Sequence, residues 1–128
     1  MSTRIQSVNF EASEQLKAFI QKKIDLYIIS NKEKSLLLKE VEFCFPNISF
    51  KKILGNGDAP LNKPNPAPVF VALDNVAYEV NRYNVWLIGD TKQDTECAYN
   101  AEVQPILLGK GKFMEDGYVT AGSVWAGD

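Results

Sequence analysis

The chain is 128 residues long, carries a formal net charge of −2, has 45% hydrophobic residues and contains no histidine. That length and apolar content suit one domain with its own core, and no run of about 18 apolar residues is present to span a membrane as a helix. Without imidazole the commonest general base, the commonest zinc ligand and every Ser-His or Cys-His pair are excluded.

Arg4 to Phe10 alternates imperfectly and reads as a short strand. Ser13 is a credible N-cap, with Glu14 in the first turn behind it. Leu16, Phe19, Ile20, Ile24, Tyr27 and Ile28 then recur at three- and four-residue steps, which predicts one amphipathic helix of about four turns. Residues 32–39 could form a second short helix, and residues 32–40 are open between helix and strand. Val41, Phe43 and Phe45 alternate with Glu42 and Cys44, which favours a strand from Glu40 to the stop at Pro46. Residues 48–57 offer a return strand, ending in an Asn56-Gly57 turn.

Residues 58–68 hold four of the six prolines and read as an extended linker or an excursion loop. The charge balance also changes there. Residues 1–64 hold 10 basic and 7 acidic side chains, against 4 and 9 in residues 65–128. The expectation is a single domain, 1–128, with an internal boundary at 58–68.

Residues 69–73, 83–88, 95–103, 105–108 and 118–125 read as strands separated by Asp-, Asn- and Gly-rich turns. In 95–103, Cys97, Tyr99, Ala101 and Val103 fall on one face of such a strand, the pattern of an antiparallel sheet with one wet side. The predicted fold class is therefore α+β: an N-terminal strand and amphipathic helix packed on a mostly antiparallel β-sheet, with a β-rich C-terminal half.

Motifs that carry chemistry are few. Gly109 to Lys112 spells GKGK, but Ile106 stands where a phosphate loop needs glycine and Phe113 where it needs Ser or Thr, so a solvated turn is expected. Asp90, Asp94 and Glu96 crowd together without the spacing of a calcium loop, which reads as a charged hairpin turn. Asn47-Ile48-Ser49 is a formal glycosylation sequon. Cys44 and Cys97 read as small buried hydrophobes. Tyr78, Tyr83, Trp86, Tyr99 and Trp125 offer aromatics with polar tips. Arg82, Tyr83 and Trp86 together make a candidate ligand-binding set for a nucleotide or other small anion.

The segment IQSVNFEASEQLKAFIQKKI, with its strand, acidic turn and helix bearing Lys22 and Lys23, resembles the N-terminus of bacterial ribosome hibernation-promoting factors. The resemblance covers residues 4–25 and implies a β-α-β-β-β-α domain that occludes the decoding channel of the small ribosomal subunit without catalysis. It implies Lys22 and Lys23 as contacts to ribosomal RNA phosphates, with Lys17 on the same helix, although a solvated helix face accounts for these lysines equally well.

Three functions follow as expectations. The first is a non-catalytic binding protein of hibernation-factor type, with small-subunit ribosomal RNA as partner. The second is a structural or assembly component, for example of a virion, that contacts protein or itself. The third is a small-ligand module. No cofactor, metal or membrane partner is implied, the chain is expected not to be an enzyme, and the lack of a basic-then-apolar leader predicts a cytoplasmic location.

Overall fold

A computed structural model describes Lys17 and residues 21–89, 91–109, 112–113 and 122–127, with backbone alone from residue 107 onward. The order of elements is β1 (Asp25–Ser30), α1 (Lys34–Cys44), β2 (Lys52–Leu54), α2 (Ala67–Ala72), β3 (Val85–Gly89), α3 (Lys92–Ala101), β4 (Gln104–Gly109), β5 (Lys112–Phe113) and β6 (Gly122–Gly127). The strands form one sheet in the order β2-β1-β6-β3-β4-β5. Every pairing is parallel except β4 with β5.

This architecture corrects the expectation of a mostly antiparallel α+β fold. Parallel strands need crossovers, and the crossovers here are helices that cover both faces of the sheet. On one face Tyr27 and Ile29 of β1 and Val85 and Leu87 of β3 pack with Val69 and Ala72 of α2 and Cys97, Ala98 and Ala101 of α3. On the other face Leu26 and Ile28 of β1 and Trp86 and Ile88 of β3 pack with Leu37, Val41 and Cys44 of α1. From Leu26 onward in β1 and throughout β3, successive residues thus alternate between two cores and are buried, so these strands read as continuous apolar runs.

Several local expectations change for related reasons. The predicted helix stripe ends in Ile24, Tyr27 and Ile28, yet residues 25–30 are β1. Lys17 and Gln21 are helical, while residues 1–16, including the predicted strand at 4–10, lie outside the described residues. Residues 34–44 form one helix, α1, instead of a helix followed by a strand. The Glu33 carboxylate starts it by accepting from Ser35 N (3.1 Å) and Leu36 N (3.2 Å). Residues 69–73 lie mostly in α2, which begins behind Pro66 with a second proline at Pro68, where a missing N–H is harmless.

The predicted strand at 95–103 is mostly α3, whose buried residues Asp94, Cys97, Ala98 and Ala101 follow helical spacing. Asp94 and Glu96 of the predicted hairpin turn accordingly lie in that helix, while Asp90 lies outside the described residues. Other readings hold. Asn56 and Gly57 form a turn with Gly57 at φ +87°, which glycine adopts without steric cost. Residues 85–89 and 104–109 are strands, and Cys44 and Cys97 are buried free thiols.

Candidate functional site

β1, β3 and β6 run parallel and end at one edge of the sheet, in register Ser30 with Gly127 and Ile88 with Trp125. In open parallel sheets this carboxyl edge is where ligands bind. The segment after α1 and β2 is folded over it. Asn31, next after β1, grips the backbone of Lys63 in both directions: its Nδ2 donates to Lys63 O (3.1 Å), and Lys63 N donates to its Oδ1 (3.0 Å). The Lys63 ammonium then reaches Asp94 Oδ1 at 2.6 Å, with each side chain 2% exposed.

Asp94 belongs to the start of α3. Its Oδ2 accepts from Thr91 N (3.1 Å), while its own N–H donates to Thr91 Oγ1 (3.2 Å), a reciprocal capping box. Gly89 closes the other side. A Cβ built there would stand 2.5 Å from Asp94 Cβ and Cγ, so only glycine leaves room for the carboxylate at the end of β3.

One helix face organises the whole loop. Asp94, Cys97 and Asn100 recur at three-residue steps along α3. Asp94 holds the Lys63 ammonium, the Cys97 thiol donates to Asn65 O (3.3 Å), and Asn100 Nδ2 donates to Pro64 O (3.1 Å). The proline-rich stretch is therefore a packed loop whose prolines, including a cis Lys63-Pro64 bond, carry Lys63 to the sheet edge. Lys63 is tied by its backbone to the end of β1 and by its side chain to the end of β3. These strands are separated by β6, about 10 Å apart at ordinary strand spacing. Lys63 thus spans the carboxyl end of the central strand.

Burial pushes the Cys97 thiol up to about 11; the Lys63 charge lowers it and Asp94 raises it, both less than burial does. It is an inert thiol. Ser30, at the end of β1, is buried, and its hydroxyl accepts from Lys32 N (3.1 Å). Among the described residues no group of three or more carboxylate or thiol side chains is placed to hold a metal ion. Asp94 is committed to Lys63, and Glu96 instead lies 3.7 Å from Lys92 on the exposed side of α3. Asp90 and Asp128 follow β3 and β6 directly in sequence and lie outside the described residues.

The residues singled out from sequence lie elsewhere. Lys22 and Lys23 are exposed just before β1, and Lys17 is exposed further upstream. Arg82 and Tyr83 precede β3, so all but Lys17 of these flank the amino edge of the sheet, opposite Lys63. Trp86 is buried in the core against α1, whereas Tyr83 is 76% exposed, so the proposed Arg82-Tyr83-Trp86 set does not share a surface.

The family model for haloacid dehalogenase-like hydrolases matches residues 7–108. The chain belongs to this family. A crystal structure of a hydrolase of the same superfamily from Ehrlichia chaffeensis is similar at 35% sequence identity with a TM-score of 0.67, over 75% of this chain and 46% of that one. The chain thus spans under half the length of that relative. No curated protein matches it.

Membership in the haloacid dehalogenase-like family overturns the resemblance to hibernation factors, which rested on a strand and helix at 4–25 that ordinary amphipathic patterning also produces. It equally overturns the non-catalytic reading and the assembly and ligand-module alternatives, since the family is one of hydrolases. The absence of histidine carried too much weight: carboxylates can serve as nucleophiles or proton carriers and lysine can offset negative charge, so hydrolysis needs no imidazole. No helix among the described residues is long and apolar enough to cross a membrane.

Proposed function

We propose that the chain forms the carboxyl-edge site of a hydrolase acting on a small anionic substrate, with Lys63 as the positive group that holds the substrate and offsets charge developing on it. The observation that carries this reading is the Lys63–Asp94 pair. It is buried at 2% exposure across the ends of the parallel strands, in a member of a hydrolase family. An ammonium held this way is preorganised, so it needs no rearrangement as negative charge grows during bond cleavage. Asp94 fixes its direction and Asn31 fixes its backbone. Asn100 and the Cys97 thiol hold the two residues that follow.

The test is product release by the purified chain. p-Nitrophenyl phosphate and 2-chloropropionate represent two classes of small anion, a phosphate ester and a haloacid, read by free phosphate and free chloride. The reading expects turnover of at least one, and a fall of about 10²-fold or more in Lys63→Ala, the usual scale for losing one preorganised charge-stabilising group. Release of neither product, or equal release by Lys63→Ala, contradicts it.

A further inference from the structure

The chain leaves β2 at Gly55 and is gripped again at Lys63. Both ends of residues 56–63 stand on neighbouring residues of the connection from β1 to α1. Asn56 N donates to Lys32 O (2.7 Å), and Lys63 N donates to Asn31 Oδ1 (3.0 Å). Asn62 Nδ2 closes the neck by donating to Asn56 Oδ1 (2.8 Å). A short excursion whose ends meet is an Ω-loop, a form often put to functional use. Here its last residue is Lys63.

Apolar burial does little to hold this loop. Of residues 56–62 only Ala59 is buried, while Pro60 and Leu61 are exposed. A segment with few buried apolar contacts opens at low cost, so polar bonds set its geometry. Asp58 makes the bonds that tie the loop to its surroundings. Its Oδ2 accepts from Lys34 Nζ (2.6 Å) in α1 and from Gly55 N (2.8 Å) just after β2. The same ammonium donates to Ile53 O in β2. One carboxylate thereby joins the loop to a helix and to a strand at once. Its hydrogen bonds to Lys34 and then to Gly55 hold the Asp58 carboxyl below the usual carboxylate range. The pair is partly exposed, 40% for Lys34 and 34% for Asp58, so it adds little to global stability and acts locally. Asp94 fixes Lys63 from α3, whereas Asp58 works from the side of α1 and β2.

We propose that Asp58 is a positioning residue for Lys63: tied to Lys34, it keeps residues 56–63 closed on Asn31 and Lys32 and so sets the main chain from which the Lys63 ammonium reaches the carboxyl edge. The role rests on the reading of Lys63 as the anion-holding group, and Asp58 itself does not meet the anion. The experiment combines amide hydrogen exchange by NMR with calorimetric titration of inorganic phosphate, on the native chain, Asp58→Ala and Glu96→Ala. Glu96→Ala is the control, since it removes another exposed ion pair, Lys92 with Glu96. In Asp58→Ala the Lys63 amide should exchange at least about fivefold faster, the scale for losing hydrogen bonds to a charged group, while the amides of β3 keep their native rates. Phosphate affinity should fall by a similar factor, and Glu96→Ala should match the native chain in both readouts. A Lys63 amide that is unchanged, that speeds up no more than the amides of β3, or that speeds up equally in Glu96→Ala overturns the proposal. Unchanged phosphate affinity beside a faster Lys63 amide overturns it too. If the native chain binds no phosphate, the anion-site reading fails, and the exchange rates alone still decide whether Asp58 positions Lys63. Should Asp58→Ala fail to fold, Lys34→Met takes its place with the same outcomes.

Discussion

Lys63 Nζ lies 2.6 Å from Asp94 Oδ1, 31 residues away in sequence, and both side chains are almost fully buried. Buried charges are expensive to remove from water, so each is stabilised by the presence of the other. Asp94→Ala and Lys63→Ala should each destabilise the chain by about 3–5 kcal/mol in urea denaturation. The double substitution Lys63→Met with Asp94→Leu should cost clearly less than the sum of its two single changes. Additive costs would show that the two charges are not coupled.

Gly89 is a second route to the same pair. A methyl group there would collide with Asp94 Cβ and Cγ. Gly89→Ala should destabilise by about 1–3 kcal/mol, the usual cost of overpacking. Its effect should shrink when Asp94 is also replaced by Ala, since the colliding atoms are then fewer. A full-sized effect in both backgrounds would place the strain elsewhere.

The Cys97 thiol should set an alkaline limit. Its folded pKa is raised to about 11 from an ordinary value of 9.0, chiefly by burial. A raised folded value means the contribution is complete below about pH 9 and is lost as pH climbs to about 11, because the unfolded chain gains thiolate first. Stability measured from pH 8 to 11 should fall, and Cys97→Ala should flatten part of that fall. In the native protein at pH 8, Cys97 should resist thiol reagents. An unchanged pH slope in Cys97→Ala would contradict this.

The Tyr78 hydroxyl is buried without a hydrogen bond of acceptable geometry, although Tyr27 is close enough for the two phenols to perturb each other. Burial, more than Tyr27, pushes its pKa up. An unsatisfied buried hydroxyl costs about 1–3 kcal/mol. Tyr78→Phe should therefore be neutral or stabilising in thermal denaturation, whereas a marked loss of Tm would reveal a partner for the hydroxyl.

Local apolar patterning reveals some of these elements and hides others. Residues 85–88 and 105–108 are recognisable as strands because each is a short apolar run bounded by turn residues. β1 is disguised. Its residues face two cores, so alternation is lost, and Ile24, Tyr27 and Ile28 happen to continue the spacing of Leu16, Phe19 and Ile20. α3 is disguised in the other direction. Cys97, Tyr99, Ala101 and Val103 suggest a strand face, yet Tyr99 is 61% exposed and the buried set is Asp94, Cys97, Ala98 and Ala101. The helical period appears only when a carboxylate is allowed into the core, and its partner lies in a distant proline-rich loop.

The site had one local sign. Thr91 three residues before Asp94 is a capping-box pattern, which marks a helix start and argues against a hairpin turn. Lys63 had none, because its burial depends on Asn31 and on the α3 face meeting it in three dimensions.

The most direct measurement is calorimetric titration with inorganic phosphate as a probe anion, for the native chain and for Lys63→Met. Saturable binding by the native chain, weakened at least tenfold by Lys63→Met in a sample shown to be folded, is the predicted result. Equal affinity in both proteins, or no binding to the native chain, would contradict the placement of an anion site at Lys63.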